Sequence, residues 1–229
     1  MNVLYEDNHI IIVNKEPGEI VQGDKTGDSP LSDMVKAYIK ERYAKPGAVF
    51  LGVVHRLDRP VSGVVVFART SKALERLNRM FASHEGIRKT YHAIVPLGAK
   101  SEPLPFTTLT HWLTRNTKQN KAYAYDREMP DSKRAVLDLS TLHTGDRYQM
   151  LEVQLHTGRH HQIRCQLSHI GLPIKGDLKY GAQRSNPDGS ISLHARSISF
   201  EHPVSHAPIH VVAPYPATDK LWSALSGEE

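Results

Sequence analysis

"AVLDLSTLHTGDRYQMLEVQLH", residues 135–156, carries the pattern that decides the fold. Its two halves alternate apolar and polar residues, the period of strands with one face buried. The connector "TGD", residues 144–146, supplies a tight polar turn between them. Alternation on both sides of such a turn is the signature of a β-hairpin, and a hairpin makes its strands antiparallel neighbours.

The pattern extends in both directions. "NVLYEDNHIIIVNKEPG" near the start reads as two short strands around a polar turn at Asp7 and Asn8, stopped by Pro17 and Gly18. In "SPLSDMVKAYIKERYA", Ser29 can cap a helix and Pro30 suits its first position. Leu31, Met34, Val35, Tyr38 and Ile39 then form an inward stripe. "GVVVFART" is too short and too valine-rich for a helix, so a buried strand is expected over 64–68. A helix follows from Thr70 or Ser71, with Leu74, Leu77 and Phe81 inward, and "RKTYHAIVPL" returns as a strand. Residues 100–134, broken by Pro103, Pro105 and Pro130, read as a polar, irregular excursion. "HHQIRCQLSHIG" is a short helix with Ile163, Leu167 and Ile170 on one face. Two late strands and a terminal helix capped by Thr218 complete the chain. Hairpins interrupted by single helices imply an α+β fold, with a mixed, largely antiparallel central sheet flanked by helices and loops.

The chain of 229 residues suits one globular domain or two closely packed halves, and a single domain over residues 1–229 is expected. Lysine and arginine exceed aspartate and glutamate by 29 to 24, a net charge of +5 that permits a polyanionic partner. The single cysteine, Cys165, excludes an internal disulfide and suits a reducing compartment. No apolar run approaches the roughly eighteen residues of a membrane span. A soluble cytoplasmic protein is expected. The absence of GxGxxG and GKS or GKT sequences leaves a bound dinucleotide or nucleoside triphosphate without support.

Candidate chemistry centres on "HRLDRPVSG", residues 55–63, where Asp58 stands between Arg56 and Arg59 in a turn that feeds the buried strand. Guanidinium neighbours keep a carboxylate ionised, and an ionised, positioned carboxylate can act as nucleophile or general base. A structural turn ion pair is the competing reading. "HTGRHHQIRCQL" gathers Thr157, Arg159, His160, His161, Gln162 and Arg164 at a helix start, a density of donors suited to an anion, or to a solvated polar face. "TRNTKQNKAYAYDRE" interleaves Arg115, Lys118, Lys121 and Arg127 with Tyr123 and Tyr125, a composition that can track phosphates and stack bases, or form a solvated hairpin. Fourteen histidines raise the question of a metal, but His156/His160 straddle a glycine turn and His206/His210 span a proline, so no metal site is expected. Cys165 on an amphipathic helix reads as a buried small residue rather than a nucleophile.

In chain order, "HRLDRPVSGVVVFART", "RKTYHAIV" and "LHTGRHHQIRCQLSHIGLPIKGDLKYG" resemble the RluA family of RNA pseudouridine synthases. "VLYEDNHIIIVNKEPGEIVQ" resembles that family's first strand pair with its lysine, and "LHARSISFEHPVSHAPIHVVAPYP" its closing strands, so the likeness spans nearly the whole chain. The resemblance implies a catalytic fold with a central cleft and the isomerisation of uridine to pseudouridine in structured ribosomal or transfer RNA. It implies no metal or organic cofactor, no obligate protein partner, no membrane and a monomer. It makes Asp58 the catalytic carboxylate, Tyr91 the tyrosine that lies against the uracil, and Arg164 the partner of the aspartate, with Leu167 as an apolar wall. By the resemblance, Arg56 is the candidate to fill the space left by an extruded nucleotide. His55, Lys15, Arg159, His161 and Gln162 are further substrate-binding candidates, and Arg115, Lys118 and Lys121 are candidate RNA contacts. The sequence departs from the family pattern at Glu16, where proline is expected, and at Val61 and His160, where threonine is expected. With a first strand from Val3, no N-terminal S4 module is expected. A noncatalytic RNA-binding or RNA-folding protein on the same scaffold is the alternative.

Overall fold

The computed structural model describes residues 1–23, 27–97 and 103–227. Two compact units emerge, Met1–Arg88 with Ala195–Pro214, and Lys89–His194 with Tyr215–Glu229.

In the first unit, β1 (Asn2–Glu6) and β2 (Ile10–Lys15) form the expected hairpin. Its turn is held by Asp7, whose carboxylate accepts the amides of His9 and Ile10. β2 pairs antiparallel with β4 (Ser62–Ala68), and both are buried along their whole length. The short β3 (Gly52–Val53) pairs with the far end of β4. The spatial order is β1-β2-β4-β10, where β10 (Leu193–Glu201) carries β11 (Pro208–Val212) as an antiparallel neighbour. Gly63 is required at the β4–β10 approach: its φ is +115°, and a Cβ there would lie 2.3 Å from the carbonyl oxygen of Ala195.

Two helices cover this layer. α1 (Leu31–Arg42) starts without a side-chain cap. Ser29 is not its cap, because the first amides of α1, on Leu31 and Ser32, reach the carbonyls of Ile20 and Val21 in the preceding chain. The inward stripe is Leu31, Ser32, Val35 and Ile39, whereas Met34 faces solvent. α2 (Ser71–Ser83) is capped by Thr70, whose hydroxyl accepts the amide of Ala73. Ala73 and Leu77 press onto Ile10, Ile12, Val64 and Val66, with Leu74 and Phe81 at the margin.

The second unit is an antiparallel meander in the order β5-β9-β8-β6-β7, built from β5 (Ile87–Pro96), β6 (Thr107–Asn116), β7 (Lys121–Tyr125), β8 (Lys133–Thr144) and β9 (Tyr148–Leu155). The β8–β9 hairpin is the one read from residues 135–156. The stretch read as irregular is instead the β6–β7 hairpin: Pro103, Pro105 and Pro130 flank its strands, where the missing amide costs no ladder bond. Part of it, residues 98–102, lies outside the described residues. α3 (Gln162–His169) ends earlier than read, so that Ile170 is a solvent-facing cap rather than part of the inward face. α4 (Leu221–Ser226) begins after Lys220 and not at Thr218; the Asp219 carboxylate accepts the amide of Leu221. Its Trp222 and Leu225 pack on Ile94 and Met150. The α+β class holds, and among the described residues no helix is long and apolar enough to cross a membrane.

Candidate active site

Asp58 sits in the loop between β3 and β4, half-buried, with Leu57 beside it as a buried anchor. The turn after it is closed by the amide of Val61 donating to the carbonyl of Asp58 at 3.0 Å. Lys15, at the end of β2 and 0% exposed, fixes this loop from beneath. Its ammonium donates to the carbonyls of Val61 at 2.6 Å, Glu16 at 3.0 Å and Arg59 at 3.1 Å. An ammonium has three protons, so each is accounted for. Burial lowers the Lys15 pKa to about 8, a shift opposed by the negative charges of Glu19, Asp58 and Glu16. The Asp58 carboxylate therefore shares its surroundings with a buried cation.

The neighbouring side chains divide by task. His55 accepts the amide of Val66 on its Nε2 at 3.0 Å and stacks on Phe81 with ring centroids 4.6 Å apart, tying the loop to β4 and α2. Arg59 reaches Asp28 at 2.6 Å. Arg56 is exposed and makes no hydrogen bond or ion pair with another described residue. Lys15 and His55 are thus locked into the fold, the Asp58 backbone is closed into its turn, and Arg56 is exposed.

In the second unit, Tyr91 is a half-buried residue of β5, opposite Val153 on β9. Arg164 and Leu167 lie on α3, both buried. Arg164 is held by Asp177, which sequence reasoning had not singled out: Nε meets Oδ2 at 2.7 Å and an Nη meets Oδ1 at 2.9 Å, with the side chains 7% and 1% exposed. A lone acid between two glycines in "KGDLKYG" was the available signal. The bidentate fork leaves three guanidinium N–H groups for other acceptors. The cation also lies over the ring of Tyr180, 5.0 Å from its centroid.

The start of α3 is built by its own polar residues. Gln162 accepts the hydroxyl of Thr157 and the amide of Arg159, and donates to the carbonyl of Val136. His161, at φ 51°, sits 2.9 Å by its Nδ1 from the Tyr180 hydroxyl, which itself accepts the amide of Ala122. Burial raises the Tyr180 pKa, so the phenol keeps its proton. Arg159 is exposed, with its Nε on the carbonyl of Arg134.

The β6–β7 hairpin presents Arg115 and Lys118 to solvent. Lys121 instead leans over the rings of Tyr123 and Tyr180, at 5.6 and 5.2 Å. Cys165 is buried and its pKa is raised to about 12, which leaves no thiolate for nucleophilic work.

With this geometry in hand, relatives give the site a context. Residues 9–169 match the family described as RNA pseudouridylate synthase. The chain belongs to that family, as an RluA-type member. It is 31% identical, over 94% of its length, to the ribosomal large subunit pseudouridine synthase D of Xylella fastidiosa, and spans 66% of that protein. It is 30% identical, over its full length, to the tRNA pseudouridine synthase C of Vibrio cholerae, and spans 95% of it. The chain thus covers slightly under two thirds of one relative and nearly all of the other. The fold is shared with human RNA pseudouridylate synthase domain containing 4, at a TM-score of 0.76 over 94% of this chain and 89% of that one, with 21% identity.

The three departures of this RluA-type chain from the expected pattern fall on structural positions. Glu16 and Val61 contribute backbone carbonyls to the Lys15 clamp, so the identity of their side chains does not enter it. His160 stacks on His161 at 3.8 Å, beside the start of α3.

Proposed function

We propose that the protein isomerises uridine to pseudouridine at one or a few sites in structured ribosomal or transfer RNA, acting as a cytoplasmic monomer with one catalytic domain. Asp58 is the catalytic carboxylate, Tyr91 lies against the uracil and handles the carbon 5 proton, and Arg164 is the third catalytic residue. The observation that carries this reading is the clamp on the Asp58 loop, in which Lys15 fixes the backbone on both sides of the turn within a chain of this family. Rigid placement of a reactive group is what a positioned catalyst requires.

The chemistry balances within the substrate. The bond between the ribose carbon 1′ and uracil nitrogen 1 breaks, a bond from carbon 1′ to carbon 5 forms, the carbon 5 proton leaves and nitrogen 1 gains one. No electrons are exchanged with a co-reactant. A uridine inside folded RNA must leave its stack to reach a carboxylate, at a cost of a few kcal/mol. The exposed Arg56 suits the vacated space, because a flat guanidinium can stack on bases and pair with phosphate. The relatives named for ribosomal and for transfer RNA support both substrate classes.

The test is a transcriptome-wide pseudouridine map in cells with and without the protein. One or a few sites in ribosomal or transfer RNA should vanish in the deletion and return with the wild-type chain but not with Asp58→Asn. An unchanged map in the deletion would refute the proposal.

A further inference from the structure

His111 lies on β6, Asp126 directly follows β7, and His169 ends α3. One ligating atom from each lies within 4.8 Å of the other two. The Asp126 Oδ1 is 2.8 Å from His169 Nε2 and 3.7 Å from His111 Nε2, and the two imidazoles meet edge to face with centroids 4.8 Å apart. One carboxylate oxygen thus faces two ring nitrogens.

A second observation concerns what stands behind His111. Its Nδ1 is 2.9 Å from the side-chain amide of Gln166, which is 0% exposed and whose Oε1 has no hydrogen-bond partner. The oxygen and nitrogen of an amide can exchange places by a half-turn. As placed, the amide nitrogen also donates to the carbonyl of Ala135 at 3.4 Å; with Oε1 turned toward His111 that bond is given up, the amide accepts the Nδ1 proton, and the Nε2 lone pair is left for a cation. Metal-bound histidines are held by an outer hydrogen bond of this kind.

We infer that His111, Asp126 and His169 bind one divalent d-block cation of the zinc class, clipping the β6–β7 hairpin to the C-terminal end of α3. Two imidazoles and a carboxylate match zinc, cobalt or nickel, whereas magnesium and calcium call for oxygen ligands. Bonds of about 2.0–2.2 Å place neighbouring ligand atoms of a tetrahedral shell about 3.3 Å apart. The 2.8 and 3.7 Å separations bracket that spacing. Asp126, 83% exposed, leaves the fourth position to water. A cation there also meets the negative end of the α3 dipole. The site is structural: it restrains the hairpin that carries Arg115 and Lys118, and its binding chemistry is independent of the proposed activity.

The experiment is calorimetric titration of the untagged, chelator-treated full chain with zinc chloride near neutral pH, with thermal unfolding in parallel. Wild type is expected to bind one zinc ion per chain saturably and to gain thermal stability, while magnesium does neither. His169→Ala and Asp126→Asn, both at accessible positions, should each weaken zinc binding by at least about tenfold. His206→Asn, which alters a histidine beside the Glu201 carboxylate elsewhere, should not. Absence of one-per-chain binding by wild type, or undiminished binding by both site variants, would overturn the inference and leave the trio an ordinary histidine–aspartate pair.

Discussion

Lys15 is charged, inaccessible to water and bonded to three backbone carbonyls. Lys15→Met removes every donor of the clamp; the Arg59 carbonyl keeps the amide of Gly18, but the buried Val61 carbonyl loses its ammonium donor, at a cost of about 1–3 kcal/mol. The variant is expected to lose about 1–3 kcal/mol in urea denaturation and most of its turnover. The titration of Lys15 gives a second check. Its folded pKa is about 8 against 10.5 for an unperturbed lysine. Between those values the unfolded chain holds a proton that the folded chain has released, so this group's contribution to stability rises with pH across that window. NMR of lysine side chains should show a step near pH 8 that disappears in Lys15→Met; a Lys15 step near 10.5 would contradict the burial argument. Arg56 is the opposite case, exposed and uncommitted among the described residues. Arg56→Ala should reduce turnover on folded RNA several-fold more than on a flexible oligonucleotide, and equal losses would show that it does not aid extrusion. Asp58 stood out in the sequence because its charge pattern and the family resemblance coincide. The partners of Lys15 and Arg164 did not, because Lys15 reaches residues 59–61 and Arg164 reaches Asp177 through contacts that local pattern does not encode.

The elements were legible where one periodicity dominated. The β8–β9 hairpin announces itself by alternation and a turn, and β4 by an unbroken apolar run. The β6–β7 hairpin was hidden because its prolines lie close to strands of mixed polarity, which weakens the period-two signal. Helix starts were misplaced where something other than the expected side chain satisfies the first amides, as the carbonyls of Ile20 and Val21 do for α1. The hairpin carries its own expectation. Arg115 and Lys118 are exposed, while Lys121 is partly taken up by two aromatic rings. If the first two meet phosphates, the Arg115→Ala/Lys118→Ala double variant should lower the slope of log affinity against log salt by about 2, without changing which uridine is modified. An unchanged slope would remove the hairpin from the RNA contacts.

For the whole molecule, the net charge of +5 permits a polyanionic substrate, which the proposed activity on RNA requires. The α+β class was readable from hairpins separated by single helices, and both units bear it out. The proposed reaction requires Asp58 as its reactive carboxylate, and release of tritium from RNA labelled at uridine carbon 5 reports that chemistry directly. Wild-type protein should release tritium from total ribosomal and transfer RNA, and Asp58→Asn, which keeps the size of the side chain and removes its charge, should release none above background. Release by Asp58→Asn at the wild-type rate would contradict the account.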